Sequence, residues 1–439
     1  MGLRAPEPRQ PDERFYLTIA KDLSEHGVFS TARARGVLPP GSNAPSPDNY
    51  SGPLYPAVLA VAAQLSPGLE RAMDCVGTTE GTAWSRCEGV DLSGLFALQA
   101  ALGALALVGA FVAYRRLEPD RAAFAWVALL LLLAFGLQAR LATSILPDGL
   151  FLAALMLFAG AFMNAVARER ARGWILCGAC LGLAALLRPS ALYLLAMLAP
   201  FLLLRRGGVR AFVLAALGLG LLVGPWILRN AIVLDEIAFT GSYGGVILAQ
   251  RVAYNLMTFQ EWLAALIYWL PDFGDRLAAF LFEPGAYDRL RFDAADGFYA
   301  LGNGTILRDA MAAAGAGGDA TGVLIREWVL GAPFSHLASS VPIFLRGLWV
   351  GQYAGLVAIL FAWVPFVTLA DGAARRRLLF LAVPFLLLAG FHAGVTINIP
   401  RYNLALSLVY AAIFAHLALL AGDGLRRAAQ RVRHRRSDI

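Results

Sequence analysis

Two adjacent carboxylates, Asp12 and Glu13, stand near the start of the chain, and a third, Asp148, opens an apolar run behind Pro147. Three arginines, Arg188, Arg229 and Arg401, sit at the ends of apolar runs with no basic neighbour. A guanidinium so placed can be anchored by a carboxylate, but it also suits an anionic phosphate through bidentate, charge-assisted hydrogen bonds. Each residue alone has a plainer reading. Asp12 and Glu13 fit the acidic first turn of a helix, Asp148 fits an N-cap, and a single arginine fits snorkelling or pairing. Three such arginines facing carboxylates in one compartment turn the reading toward a phosphate site.

Whether they share a compartment depends on the elements that carry them. Of 439 residues, 59% are hydrophobic and 15% charged, and the mean hydropathy is +0.62. A soluble domain has about half apolar and about a quarter charged residues, so a disordered chain is ruled out and a water-soluble enzyme disfavoured. Runs such as 92–114 and 209–228 can cross a hydrocarbon layer of about 30 Å at about 1.5 Å per residue. The sequence predicts an all-α polytopic transmembrane helical bundle with about nine spans: 92–114, 122–138, 148–166, 173–187, 191–204, 209–228, 353–370, 378–396 and 402–421.

Charge orients these spans. The net charge is +7, from 37 Lys plus Arg against 30 Asp plus Glu. A nucleic-acid surface needs its cations on one folded face. Here they fall instead in short clusters between apolar runs: Arg115, Arg116 and Arg121; Arg168, Arg170 and Arg172; Arg205, Arg206 and Arg210; Arg375 to Arg377; and the tail from Arg426. No nucleic-acid partner is expected. With the clusters inside, every second loop is basic. That places the segment before 92, the turn 139–147, the Arg188-Pro189 turn, the stretch 229–352 and the turn 398–401 on the far side. All six candidate residues then lie in one compartment. The same topology leaves residue 1 outside with no signal peptide, so one more apolar helix is expected before Met1.

The expected organisation is a first outer catalytic loop (1–91), a transmembrane core (92–228), an outer helical region (229–352), C-terminal spans (353–421) and a basic tail (422–439). In the first loop, Phe15, Tyr16, Ile19, Ala20 and Leu23 repeat at helical spacing. The helix 57–65 is too short to span and reads as lying in the interface. Trp349 and Arg346 on the last outer helix fit an interfacial element, and His336 reads as a structural histidine or a base. Cys75 and Cys87 could join in an oxidising compartment, whereas Cys177 and Cys180, among Gly178 and Gly182, read as small-residue helix packing.

Six landmarks follow in order along the chain: Asp12-Glu13 with Tyr16, Ala20, Leu23 and Gly27; Gly52-Pro53-Leu54-Tyr55-Pro56; Pro147-Asp148; Arg188-Pro189; Pro225-Trp226 with Arg229-Asn230; and Pro400-Arg401-Tyr402. Together they resemble the GT-C superfamily of integral-membrane glycosyltransferases, specifically the bacterial relatives of dolichyl-phosphate-mannose protein mannosyltransferases and of the aminoarabinose transferase that modifies lipid A. The resemblance spans residues 12–402, and the family places a transmembrane helix just before its DE loop.

The resemblance implies transfer of a sugar from a polyprenyl-phosphate donor to a glycan, lipid or protein acceptor, usually with inversion, on the outer face of a bacterial-type cytoplasmic (inner) membrane. Asp12 would be the general base, with Glu13 and Asp148 orienting base or acceptor. Arg229 and Arg401, then Arg188, would hold the donor phosphate, while Tyr55 and Tyr402 would line the donor or acceptor groove. No metal site is expected, because no His/Asp cluster has ligand spacing; the cofactor reading is none, with a divalent ion left open. Two alternatives stay open: a lipid-linked oligosaccharide carrier or flippase, whose charges would line a path through the bilayer, and a polysaccharide ligase.

Overall fold

The computed structural model describes residues 11–36, 45–78, 90–203, 207–241, 243–315, 318–369 and 371–437. Among these residues the chain is helical, with no strand. It begins with α1 (Pro11–His26), α2 (Leu54–Leu65) and α3 (Pro67–Thr78). Apolar rods follow: α4 (Ser93–Leu117), α5 (Ala122–Ala134), α6 (Leu137–Ala142), α7 (Asp148–Arg168), α8 (Ala171–Leu187), α9 (Leu192–Leu203) and α10 (Gly208–Leu234). Shorter helices build a lobe: α11 (Tyr243–Val252), α12 (Phe259–Tyr268), α13 (Gly274–Leu281), α14 (Phe298–Leu301), α15 (Leu307–Ala314), α16 (Ala320–Leu324) and α17 (Pro333–Leu348). The chain closes with α18 (Tyr353–Leu360), α19 (Val364–Thr368), α20 (Gly372–Val395) and α21 (Leu406–Ser437).

Among the described residues, five helices, α4, α7, α10, α20 and α21 as far as Gln430, are long and apolar enough to cross a membrane. The other four expected spans are helical but shorter, at α5, α8, α9 and the α18–α19 pair. Residues 320–330 and α17 form a pair bent by 94°.

Small residues set the main crossings. Gly109 of α4 and Gly160 of α7 approach so closely that a Cβ on either would overlap the other helix's backbone, and Gly178 of α8 and Gly218 of α10 repeat the arrangement. In lipid there is no hydrophobic force between apolar helices, so close van der Waals contact of this kind holds them together. Cys177 and Cys180 are buried free thiols within the α8 crossing. Cys75 is disulfide-bonded; Cys87 lies outside the described residues. The central rod is α7, with 72% of its apolar window buried, against 22% for α10 at the periphery.

The bundle has two chemically different ends. At one, Arg116 bonds Asn164, Arg121 pairs with Asp423 at 2.7 Å, and Arg377 donates to the Leu117 carbonyl. At the other lie the N-terminus of α7 and the C-terminus of α8, with Asp148 and Arg188. The N-terminal helices close over this second end. α1 starts with Asp12 and Glu13 in its first turn and stops at Gly27, whose φ of +64° favours glycine. Gly52 lets the chain cross the end of α8, where a Cβ would lie 2.5 Å from the Leu186 carbonyl oxygen. The lobe keeps its own core around Tyr254, Phe298 and Ile343, which also takes in Ala393 and Ile397 near the end of α20.

Candidate active site

Residues from the two extremes of the chain meet at this end. Arg401 stands in the 3-10 turn Pro400–Asn403 before α21. Its Nη2 donates to Asp12 Oδ2 at 2.8 Å across 389 residues of sequence. Burial alone would lower the pKa of Arg401, but Asp148, Tyr402 and Asp12 reverse that and raise it, so the cation is fixed. Asp12 keeps its carboxylate 48% exposed, the most open acid of the group.

One layer deeper, Arg188 meets Asp148 at 2.5 Å, with side-chain exposures of 16% and 1%. The charges face each other without an aligned hydrogen bond, and Arg188 Nε is also buried without a partner. Tyr402 joins the pairs: its ring centre lies 5.5 Å from the Arg188 guanidinium carbon and 5.9 Å from that of Arg401. Cations on a ring face are attracted by its quadrupole, so Tyr402 holds two like charges near each other. His392 packs edge-on to Tyr402 at 5.9 Å, and its Nδ1 lies 3.0 Å from Asn403 Oδ1.

Glu13 does a different job from its neighbour. It is buried, and its Oε1 accepts from the Ile145 amide at 3.1 Å, which ties α1 to the turn leading into α7. Tyr16, one turn further along α1, lies within electrostatic reach of Arg188, Asp148, Asp12 and Arg401; burial pushes its hydroxyl up to about 12. An aromatic wall continues from it. Tyr16 meets Tyr55 at 5.3 Å, Phe15 meets Tyr50 at 5.8 Å, and Tyr50 meets Tyr243 at 4.5 Å.

The structure thus unites Asp12, Arg401, Tyr402, Arg188 and Asp148. Tyr55 is fully buried, its hydroxyl donating to Gln99 Oε1 at 3.3 Å, so it braces α2 against α4 instead of facing a groove. Arg229 directs Nη1 to the Asp48 carbonyl at 2.8 Å and to Asn230, and Nη2 to the Phe29 carbonyl. It fastens α10 to the N-terminal segment. Sequence reading passed over Tyr243 and His392, which belong to the group only through packing; Tyr50 was visible beside the Gly52-Pro53 motif. Among the described residues, no three or more His, Cys, Asp or Glu side chains gather where a metal ion could be held.

Apolar rods crowned at one end by carboxylate–arginine pairs define an integral membrane protein of the polytopic α-helical class. Residues 86–228 match the family model of dolichyl-phosphate-mannose-protein mannosyltransferases, a stretch that holds Asp148 and Arg188. That match bears out, over those residues, the likeness to GT-C membrane glycosyltransferases. No curated protein matches the sequence. Among solved structures, ArnT from Cupriavidus metallidurans, bound to undecaprenyl phosphate, is similar at 16% identity and a TM-score of 0.41, over 93% of this chain and 74% of that one. The archaeal oligosaccharyltransferase AglB from Archaeoglobus fulgidus, in complex with an inhibitory peptide and a dolichol-phosphate, gives 12% and 0.45 over 97% and 48%. An Archaeoglobus fulgidus oligosaccharyltransferase in complex with Zn and sulfate gives 15% and 0.41 over 93% and 47%. The chain spans about half the length of these archaeal proteins.

Proposed function

We propose that the protein is an inverting glycosyltransferase that moves a sugar from a polyprenyl-phosphate donor to an acceptor hydroxyl on the outer face of a cytoplasmic membrane. The observation that carries the reading is the Asp12–Arg401 pair, a half-exposed carboxylate held at 2.8 Å by a fixed cation. The family matched over 86–228, named for a dolichyl-phosphate-mannose donor, supports the same donor class.

Asp12 takes the acceptor's proton as the hydroxyl oxygen attacks the anomeric carbon. The bond to the phosphate oxygen breaks, and its electron pair stays on the phosphate. Negative charge therefore leaves Asp12 while it grows on the leaving group. Arg401, released from its counter-charge at that moment, turns to the phosphate, which stabilises the transition state more than the ground state. Arg188 is the second phosphate candidate; paired with Asp148, it holds Tyr402 and Arg401 in place. Arg229 acts by locking the N-terminal segment over the site. The aromatic wall from Tyr16 to Tyr243 offers apolar faces to sugar rings.

Mass spectrometry of envelope glycans and glycolipids tests this. A strain lacking the gene should miss one sugar mass, which the wild-type gene restores and Asp12→Asn does not. An unchanged glycan profile in the deletion strain would overturn the reading.

A further inference from the structure

Among the described residues, the arginines around the site face different partners. Arg401 faces Asp12 and Arg188 faces Asp148, so each has a carboxylate of its own. Arg229 is turned to main-chain carbonyls. Arg251 is fully buried in the lobe, but its donors go to the Ala393 and His336 carbonyls, Asn255, Ser339 and Ser340.

Arg346 is different. It stands on α17, 9% exposed, where the sequence suggested a surface-seeking interfacial arginine. Its guanidinium carbon lies 4.7 Å from the Trp269 ring centre and 4.5 Å from that of Phe292. Tyr254 lies within electrostatic reach of the guanidinium, while Nη1 is buried without a hydrogen-bond partner. Among the described residues no carboxylate pairs with it. Contact with two ring faces holds the guanidinium in place, and Nη1 keeps a donor that an anion could take up.

The turn of α17 that bears Arg346 is fastened to the catalytic turn. Asn398 donates to the Ile343 carbonyl and Asn403 to the Gly347 carbonyl, each at 3.0 Å, and Tyr410 donates to the Leu348 carbonyl at 2.7 Å. Tyr402 lies within electrostatic reach of the Arg346 cation.

We propose that Arg346 binds the phosphate of the polyprenyl-phosphate donor; this inference rests on the glycosyltransferase reading above. An unpaired buried cation is costly, and an arriving anion relieves that cost. The charges balance at each stage. A sugar phosphodiester carries one negative charge, which Arg346 matches while Asp12 matches Arg401. After transfer, Asp12 is protonated and the lipid phosphate monoester approaches two negative charges. Arg346 and Arg401 then face it together.

Equilibrium binding of radiolabelled farnesyl phosphate to the full chain in detergent tests the assignment, with inorganic phosphate as competitor. Arg346→Gln should weaken binding by about 10- to 150-fold, the range for a hydrogen-bonded charge, and Arg346→Lys by less. Phe292→Leu, which loosens one wall, should weaken it about 3- to 10-fold and serves if the glutamine variant does not fold. In turnover, donor KM should rise with acceptor KM unchanged. If both arginine variants keep wild-type affinity while Arg401→Ala loses it, the Arg346 assignment falls and the glycosyltransferase reading stands. If the wild type binds no farnesyl phosphate, both fall. Inorganic phosphate binding as tightly as farnesyl phosphate would overturn the lipid source.

Discussion

Replacing Asp12 with Asn separates its two roles because the amide keeps the shape and removes both the charge and the basicity. General-base catalysis contributes about 10²–10⁴ in rate, so kcat should fall by that factor. The effect on donor binding runs the other way. At an effective dielectric near 20, a pair about 4 Å apart gains about 4 kcal/mol before desolvation. Asp12 is 48% and Arg401 28% exposed, so solvent screening reduces this to about 1 kcal/mol. Freeing Arg401 should return that amount to an incoming phosphate, or about 5-fold tighter donor binding. Steady-state kinetics on purified protein with a polyprenyl-phosphate sugar should therefore show kcat and donor KM falling together, with expression and melting temperature preserved. A kcat within about 3-fold of wild type, or a donor KM that rises, would refute the role of Asp12.

Arg188→Leu leaves Asp148 buried without its cation and should cost about 3–5 kcal/mol; adding Asp148→Leu should recover most of that, and a double variant no more stable than the single would contradict the buried-pair account. Gly52→Ala forces a Cβ against the Leu186 and Leu187 carbonyls and should cost about 1–3 kcal/mol in chemical unfolding, with wild-type stability counting against that close approach. Tyr16 is raised by burial from 10.0 to about 12, so its hydroxyl ionises later in the folded than in the unfolded chain. The stability it contributes is whole below pH 10.0 and is lost as pH rises toward about 12; Tyr16→Phe should remove that part of the alkaline fall in melting temperature, and an identical pH profile would show another group responsible.

Much of this protein is legible along the chain. Hydrophobic length gave the apolar rods, and the alternation of arginine clusters correctly put Asp148 and Arg188 at the end away from Arg116, Arg121 and Arg377. These are local quantities, set within a span or its flanks. Span length is not set by hydropathy alone: α5, α8, α9 and the α18–α19 pair are shorter than the others, because helix ends depend on caps and breaks as well. What packing alone decided is which charge meets which. Nothing near Asp12 names Arg401 as its partner, since the two are joined through the stacking of α1 and the 400–403 turn on one bundle end. Likewise Glu13 and Asp12 are adjacent carboxylates in one helical turn, yet one is buried on a backbone amide and the other opens to solvent. Arg346 reads as an ordinary interfacial arginine until Trp269 and Phe292 close over it. Residue type fixes the charge a side chain carries, but its environment is fixed by segments hundreds of residues away, and environment determines whether a cation is neutralised, hydrogen-bonded or left to meet a ligand.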